Sequence, residues 1–381
     1  MLGVGFAPGV GVANVCLGLC LASALAWRLR ARAAGELFLG PFARTTPLHA
    51  PIGAFVLLSV LACFFSTLPS QSLVEIKGFG TFLLVVFAAA LLEDDADVSL
   101  LVDAWRLTTL YLVLRGFVEW LSGADNLGER VTGGLSVYMT YAGLLLVFVP
   151  LLAGRGATRG RSDRARVIDL ALAAAGALAM VLSLTRSAYL GLGIAAIALA
   201  LAVRPRVALA MPVVLAAFFF TMPESVRDRF VSSFDPTDVT MRDRLVMWKA
   251  GGAMVADHPL FGVGPGRVKT LYPVYRKPGF VDPHPGHLHN NLVMIAAETG
   301  IPSLLAYLAF LVAFFRGAIR SLRTSRGARE RGVARGAIAA MAAVAVAGLF
   351  EYNFGDVEIL MATLVVATLP FAGRAGQAAA D

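Results

Sequence analysis

Repeated apolar runs of roughly twenty residues constrain this chain more than any other feature of its sequence. Each run is long enough to cross a hydrocarbon core about 30 Å thick as an α-helix, whereas transmembrane strands would be about ten residues long with alternating polarity. The composition agrees, since 58% of the 381 residues are hydrophobic and 15% are charged. Soluble domains carry about 25% charged residues. We therefore predict an all-α, polytopic membrane protein.

The runs predict about eleven transmembrane helices in a single domain covering residues 1–381. They lie near 9–27, 50–68, 73–92, 99–121, 135–153, 167–185, 187–203, 207–222, 302–320, 336–350 and 357–372. Arginine-rich short loops alternate with loops poor in Lys and Arg, which predicts a cytoplasmic C-terminus and an external N-terminus. A signal peptide carries its basic residues before its apolar core, but here Arg28 follows the first run, so we expect a retained span.

Two segments need their own interpretation. Residues 167–203 would be about 55 Å long as one helix, so we predict a hairpin with Ser183–Ser187 at its outer turn. This turn places Arg186 at the external surface, against the positive-inside rule. The alternation places the long segment 223–300 outside as well, as one large periplasmic loop, because loops beyond about 60 residues do not follow that rule.

The basic and sulfur-containing residues exclude two classes of protein. The formal net charge is +8, but the basic residues lie largely in short loops between apolar runs, where they orient a membrane protein, so we expect no nucleic-acid partner. Cys16, Cys20 and Cys63 all lie within apolar segments and read as small core residues.

A histidine cluster in the long loop is the first candidate site. It comprises Asp282, His284, His287 and His289. A solvated loop, a metal site and a general base are the alternatives, and a neutral imidazole near pH 7 can accept a proton from a hydroxyl. Pro285 and Gly286 interrupt any helix that would align the donors, which disfavours a metal. Asn290 is a good N-cap for a short helix ending at Gly300, so His289 would lie at a helix N-terminus that favours negative charge.

Arginines predicted at the outer surface are the second candidate. Arg186, Arg244 and Arg130 could bind a pyrophosphate, because guanidinium groups fork onto phosphate oxygens; the alternative is snorkelling to lipid headgroups. Arg115 and Glu119 are expected to form an intramembrane pair. The glycines of Asp257–Gly266 resemble a phosphate loop, but no strand precedes them and no Lys-Ser/Thr follows, so a packed backbone turn is favoured.

These motifs together resemble the O-antigen ligase and polymerase superfamily of bacterial membrane proteins. The resemblance covers roughly residues 130–308 and rests on four pieces in the expected order: Leu182–Leu190 around Arg186, Arg244–Trp248, His258–Gly264 and His287–Asn290. The ligase motif His-Asn followed by Gly-x-x-Gly falls on His289, Asn290 and Gly300, but Ser303 stands where the second glycine is expected. That departure leaves ligase and polymerase open as alternatives.

The resemblance implies a GT-C-like glycosyltransferase in the bacterial inner membrane with its active site facing the periplasm. Its donor would be an undecaprenyl-pyrophosphate-linked glycan, its acceptor lipid A–core or a growing polymer, and it would need neither a cofactor nor an obligatory metal. His289 would be the catalytic base of an inverting transfer, with Arg186, Arg244 and Arg130 on the pyrophosphate. His287, Trp248, Asn290 and Gly300 would support the site. A transporter of an anionic or lipid-linked substrate is the alternative from another class.

Overall fold

The computed structural model describes residues 45–92, 94–123, 130–221, 224–232, 235, 238–276 and 285–372, which form helices and turns without any strand. The all-α prediction is confirmed. The helices are α1 His49–Phe64, α2 Pro69–Leu91, α3 Asp95–Leu121, α4 Tyr138–Gly156, α5 Asp163–Leu182, α6 Arg186–Val203, α7 Met211–Thr221, α8 Glu224–Val231, α9 Val239–Asp257, α10 Val268–Tyr275, α11 Asn291–Thr324, α12 Ala328–Ala347 and α13 Val357–Thr368.

Five helices in the described ranges are long and apolar enough to cross a membrane: α2, α4, α5, α6 and α11. Three shorter apolar helices, α1, α7 and Val357–Phe371, complement them. The predicted span 9–27 lies outside the described residues, and each of the other ten overlaps a helix. The apolar helices indicate a membrane-embedded protein. The total of eleven crossings, the GT-C-like arrangement and the periplasmic position of 223–300 remain predictions.

The centre of the bundle is α4, whose residues are almost all buried, together with the buried α13. Helix α12 packs against α4 and α6, and α11 packs against α1. At Gly154 the main chains of α4 and α12 nearly touch, because a Cβ built there would lie 2.3 Å from the backbone nitrogen of Gly336. Small residues allow such a close approach between membrane helices.

The predicted hairpin of residues 167–203 is confirmed as two helices, α5 and α6. Only Ser183, Leu184 and Thr185 separate them, and Leu184 adopts a left-handed φ of 52°. The Ser183 hydroxyl donates to the Met180 carbonyl at 2.7 Å, and the Tyr189 hydroxyl donates to the Val181 carbonyl at 2.8 Å. These hydrogen bonds hold the turn in place, and Arg186 follows it as the first residue of α6.

Helix α11 is two helices joined at a break. Asn290 caps the first, since its Oδ1 accepts hydrogen bonds from the backbone N–H groups of Leu292 (2.8 Å) and Val293 (3.0 Å). Gly300 ends it with a φ of 84°, and a Cβ at Gly300 would lie 2.2 Å from the Leu260 carbonyl oxygen. The predicted cap and break are both present.

The glycine-containing turn around Val263 ties this break to the rest of the molecule. The Val263 N–H donates to the Ala297 carbonyl at 2.8 Å, and its own carbonyl accepts from the Thr67 N–H at 3.1 Å. The Ile301 N–H donates to the Pro259 carbonyl at 2.9 Å. These backbone groups therefore bind other segments of the protein. This agrees with the prediction that Asp257–Gly266 forms a packed turn and not a phosphate loop.

Two acidic groups within the bundle have arginine partners. Arg115 and Glu119 form the expected pair at 3.5 Å. Asp169 is fully buried and accepts from Arg106 Nε and Arg161 Nη1, both at 2.6 Å. Cys63 is buried and free, as predicted; Cys16 and Cys20 lie outside the described residues.

Candidate active site

His289 is held in an unusual backbone conformation by its neighbours in sequence and space. Its φ is 47°; in the described ranges, Leu184 is the other non-glycine residue with a left-handed φ. Such conformations cost energy and persist where the surroundings enforce them. Here the Trp248 Nε1–H donates to the Leu288 carbonyl at 3.1 Å, and the Asn290 Nδ2–H donates to the Leu349 carbonyl at 2.8 Å. The loop before α11 is thereby fixed to α9 and to the chain after α12.

A single carboxylate, Glu351, joins the imidazole to an arginine. His289 Nδ1 lies 3.0 Å from Oε1 and 3.2 Å from Oε2 of Glu351, and Arg244 Nη2 lies 3.8 Å from Oε2. His287 Nε2 lies 3.7 Å from Oε1. The Glu351 side chain is 8% exposed, so these contacts are shielded from solvent.

The charges around Glu351 favour an ionised carboxylate. Burial raises the pKa of Glu351, but the hydrogen bond from His289 and the charges around it outweigh that effect and bring the pKa below its ordinary value. Burial, reinforced by the neighbouring His289, lowers the pKa of His287 to about 4, although Glu351 acts in the opposite direction. His287 is therefore neutral at pH 7, and its Nδ1 accepts the backbone N–H of His289 at 3.3 Å.

Arg186, the first residue of α6, lies at the N-terminus of α9. Its side chain is 8% exposed, and it binds Asp238 through Nη1 at 2.9 Å and Nη2 at 3.1 Å. Burial lowers the pKa of Arg244, Glu351 opposes this, and the positive charge of Arg186 adds to the lowering. Asp238, the partner of Arg186, is the N-cap of α9, the helix that carries Arg244.

Arg130 contacts an aromatic ring at the start of α4. Its guanidinium carbon lies 4.3 Å from the centroid of the Tyr138 ring, a cation–π contact. Tyr138 is the first residue of α4. The structure thus brings the predicted residues His289, His287 and Arg244 together around Glu351. It places Arg186 on Asp238 at the N-terminus of α9 and Arg130 over Tyr138.

Sequence reasoning missed Glu351 and Asp238. Glu351 begins a short segment poor in Lys and Arg between two predicted spans, and Asp238 lies in the long loop without a motif around it. An isolated buried carboxylate beside an apolar helix is a signal for Glu351, since an ionisable group near the membrane needs a partner. Nothing in the sequence indicates which partner that is.

Three donor groups could also hold a metal. One ligand atom from each of His287, His289 and Glu351 lies within 4.8 Å of the others. Imidazole nitrogens and a carboxylate are a common zinc set. Arg244, 3.8 Å from the same carboxylate, already supplies a positive charge there and competes with a cation. His284 and Asp282 lie outside the described residues.

The chain matches a known family over its central part. Residues 171–308 match the O-antigen ligase family model, a segment that includes Arg186, Arg244 and His289. The match confirms the resemblance to the O-antigen ligase and polymerase superfamily. The family implies a membrane enzyme of the glycosyltransferase type that acts on lipid-linked glycans. A search of curated proteins gives no match.

Proposed function

We propose that this protein transfers a glycan from an undecaprenyl-pyrophosphate donor to a hydroxyl of an acceptor sugar at the periplasmic face of the bacterial inner membrane, as an O-antigen ligase. The observation that carries the proposal is the Glu351 carboxylate, which contacts the His289 imidazole and the Arg244 guanidinium. A base and a cation are thereby held side by side, and a transfer with an anionic leaving group needs both.

Glu351 supports His289 as the base. An ionised carboxylate can only accept, so the ring nitrogen facing it, Nδ1, carries the hydrogen, and the lone pair of the neutral imidazole then lies on Nε2. In the proposed step, Nε2 takes the proton of the acceptor hydroxyl while the oxygen attacks the anomeric carbon. The bond from that carbon to the pyrophosphate oxygen breaks, and its electron pair leaves with undecaprenyl pyrophosphate. Attack opposite the leaving group inverts the anomeric configuration.

The arginines support stabilisation of the leaving group. Charge grows on the pyrophosphate as the bond breaks, and fixed guanidinium groups in a buried site stabilise that charge more strongly than water does. Arg186 and Arg244 are largely buried, with 8% and 12% of their side chains exposed. Arg130, held over Tyr138, would contact the far end of the pyrophosphate or the carrier.

Replacement of His289 by asparagine tests the base. Asparagine tolerates the left-handed backbone and cannot act as a base near pH 7. We expect transfer from a purified undecaprenyl-pyrophosphate glycan to fall by about 10²–10⁴, with unchanged membrane insertion and thermal melting. His49→Asn, in α1, is the matched control. Wild-type transfer by the His289→Asn variant would remove His289 from the mechanism.

Deletion separates the ligase from the alternative, a polymerase that extends lipid-linked repeats. Loss of a ligase leaves long polymer on the carrier, whereas loss of a polymerase leaves single repeats on the acceptor. We propose the first outcome; the family match is compatible with both. If the protein is a transporter, formation of the glycosidic bond does not require the purified protein and does not depend on His289.

Chelation tests whether a metal is needed. We propose a metal-independent reaction, because Arg244 provides the positive charge beside Glu351. Transfer should persist in EDTA. Loss of transfer in EDTA and its recovery on addition of Zn²⁺ would instead assign His287, His289 and Glu351 as ligands.

A further inference from the structure

Arg186 is already occupied by an internal anion. Asp238 accepts from both terminal nitrogens of the guanidinium, Nη1 at 2.9 Å and Nη2 at 3.1 Å, and the Ser232 hydroxyl accepts from Nη2 at 2.7 Å. No acceptor among the described residues reaches the buried Nε. The Nη1 and Nη2 edge of the guanidinium, which can bind two oxygens at once, is therefore covered by the Asp238 carboxylate.

A carboxylate bound in this way takes the place of two phosphate oxygens. Both anions bind guanidinium through parallel N–H···O bonds to two oxygens, so Asp238 and a pyrophosphate cannot share the Nη1 and Nη2 edge. Arg186 can stabilise the leaving group through this edge only after its contact with Asp238 has been broken.

We propose that Asp238 is an internal competitor of the donor pyrophosphate and that it sets the affinity of the site for the lipid-linked donor. This inference rests on the proposed function. In the donor-free site each arginine has its own carboxylate, since Asp238 neutralises Arg186 and Glu351 neutralises Arg244. A buried guanidinium group needs a negative charge nearby, and each of the two has one. The pyrophosphate takes over that role from Asp238.

Asp238 has a second function that persists after the donor pyrophosphate has replaced it at Arg186. It is the N-cap of α9, and its Oδ1 accepts the Met241 N–H at 3.2 Å. The positive end of the helix therefore retains the carboxylate when Arg186 releases it. Because α9 also carries Arg244, the exchange leaves the helix in place and changes the partner of Arg186 alone.

The opposite role would be that Asp238 orients Arg186 and that the donor binds through the unpartnered Nε. The two roles predict opposite effects of the same substitution. Asp238→Asn removes the charge and keeps a side chain that is an equally good N-cap. If Asp238 competes with the donor, the variant binds pyrophosphate more tightly; if it orients Arg186, the variant binds more weakly.

The test is the binding of undecaprenyl pyrophosphate to the purified full-length protein in nanodiscs, measured by calorimetry. We expect Asp238→Asn to tighten binding on the order of ten-fold, the effect of one charge-assisted hydrogen bond. Asp238→Ser, which also caps a helix but is too short to bridge to Arg186, should tighten it similarly and serves if the first variant unfolds. Asp257→Asn removes the same charge from the exposed far end of α9 and should change nothing.

Arg186→Ala distinguishes failure of this inference from failure of the proposed function. If Arg186→Ala weakens binding and neither Asp238 variant tightens it, Asp238 is not a competitor, while the donor site stands. If Arg186→Ala leaves binding unchanged, Arg186 does not contact the pyrophosphate, and the proposed donor site fails. If Asp257→Asn also tightens binding, the effect is a general one of net charge. That result would also contradict the proposal that Asp238 competes with the donor.

Discussion

Glu351→Gln is the substitution that probes the proposed chemistry most directly. It keeps the shape of a side chain that is 8% exposed and removes its charge, so packing changes little while the partner of His289 Nδ1, 3.0 Å away, becomes neutral. The glutamine amide can also donate to Nδ1, which stabilises the wrong tautomer of the imidazole. Both effects fall on the step in which His289 accepts a proton.

The magnitude follows from the distances. At an effective dielectric constant of about 20, two unit charges about 4 Å apart interact by about 4 kcal/mol. A half-developed imidazolium charge would therefore gain about 2 kcal/mol from Glu351, a factor of about 30 in rate. Loss of the correct tautomer adds to this, and we expect kcat to fall by about 10²-fold or more.

A kinetic assay with a purified lipid-linked donor separates this role from a merely structural one. Removing Glu351 frees Arg244 from its carboxylate, so KM for the donor should stay constant or fall while kcat drops. Glu351→Asp, which keeps the charge, should recover part of the rate. Glu75→Gln removes an exposed carboxylate and should have no effect.

The double variant gives the decisive comparison. If Glu351 acts through His289, Glu351→Gln should add little to the loss caused by His289→Asn. Wild-type kcat in Glu351→Gln, or fully additive losses in the double variant, would refute the reasoning.

Two further predictions concern stability. Gly300→Ala should lower the unfolding free energy by about 2 kcal/mol or more, because alanine is strained at a φ of 84° and its Cβ would meet a carbonyl oxygen; Gly252→Ala, in open helical surroundings, should leave thermal melting unchanged or raise it. The wild-type protein should lose stability as the pH falls from 6.5 to about 4, because in this window the unfolded chain protonates His287 and the folded chain, with a pKa of about 4, does not. His287→Asn should flatten the melting temperature across that window, and an equally steep decline in the variant would contradict this assignment.

Local features of the fold could be predicted from the sequence because they depend on neighbours along the chain. The Asn290 cap, the break at Gly300 and the turn before Arg186 follow from capping preferences, backbone conformation and the length of an apolar run. The apolar runs predicted an all-α protein for the same reason. The argument is weaker for α3 and α12, which overlap predicted spans. Both carry charged residues, and neither is among the helices that are long and apolar enough to cross a membrane.

The pairing of charges could not be predicted. Glu351 is 62 residues from His289 in sequence, and it reaches the site only because α12 returns to that end of the bundle. Asp238 and Arg186 are 52 residues apart, with the rest of α6, α7 and α8 between them. Periodicity identifies the buried face of a helix, but it does not specify which helix packs there or which carboxylate meets which arginine. The sequence alone therefore predicted the types of residue at the site and missed their acidic partners.

The close approach of α4 and α12 at Gly154 and Gly336 has a consequence for how a bulky lipid carrier gains entry. With the main chains in near contact, neither helix can slide or rotate without driving side chains into the other's backbone. One of these helices starts at Tyr138 and the other leads to Glu351. Glu351 therefore extends from a fixed pair of helices, and room for the donor has to come from segments outside that pair.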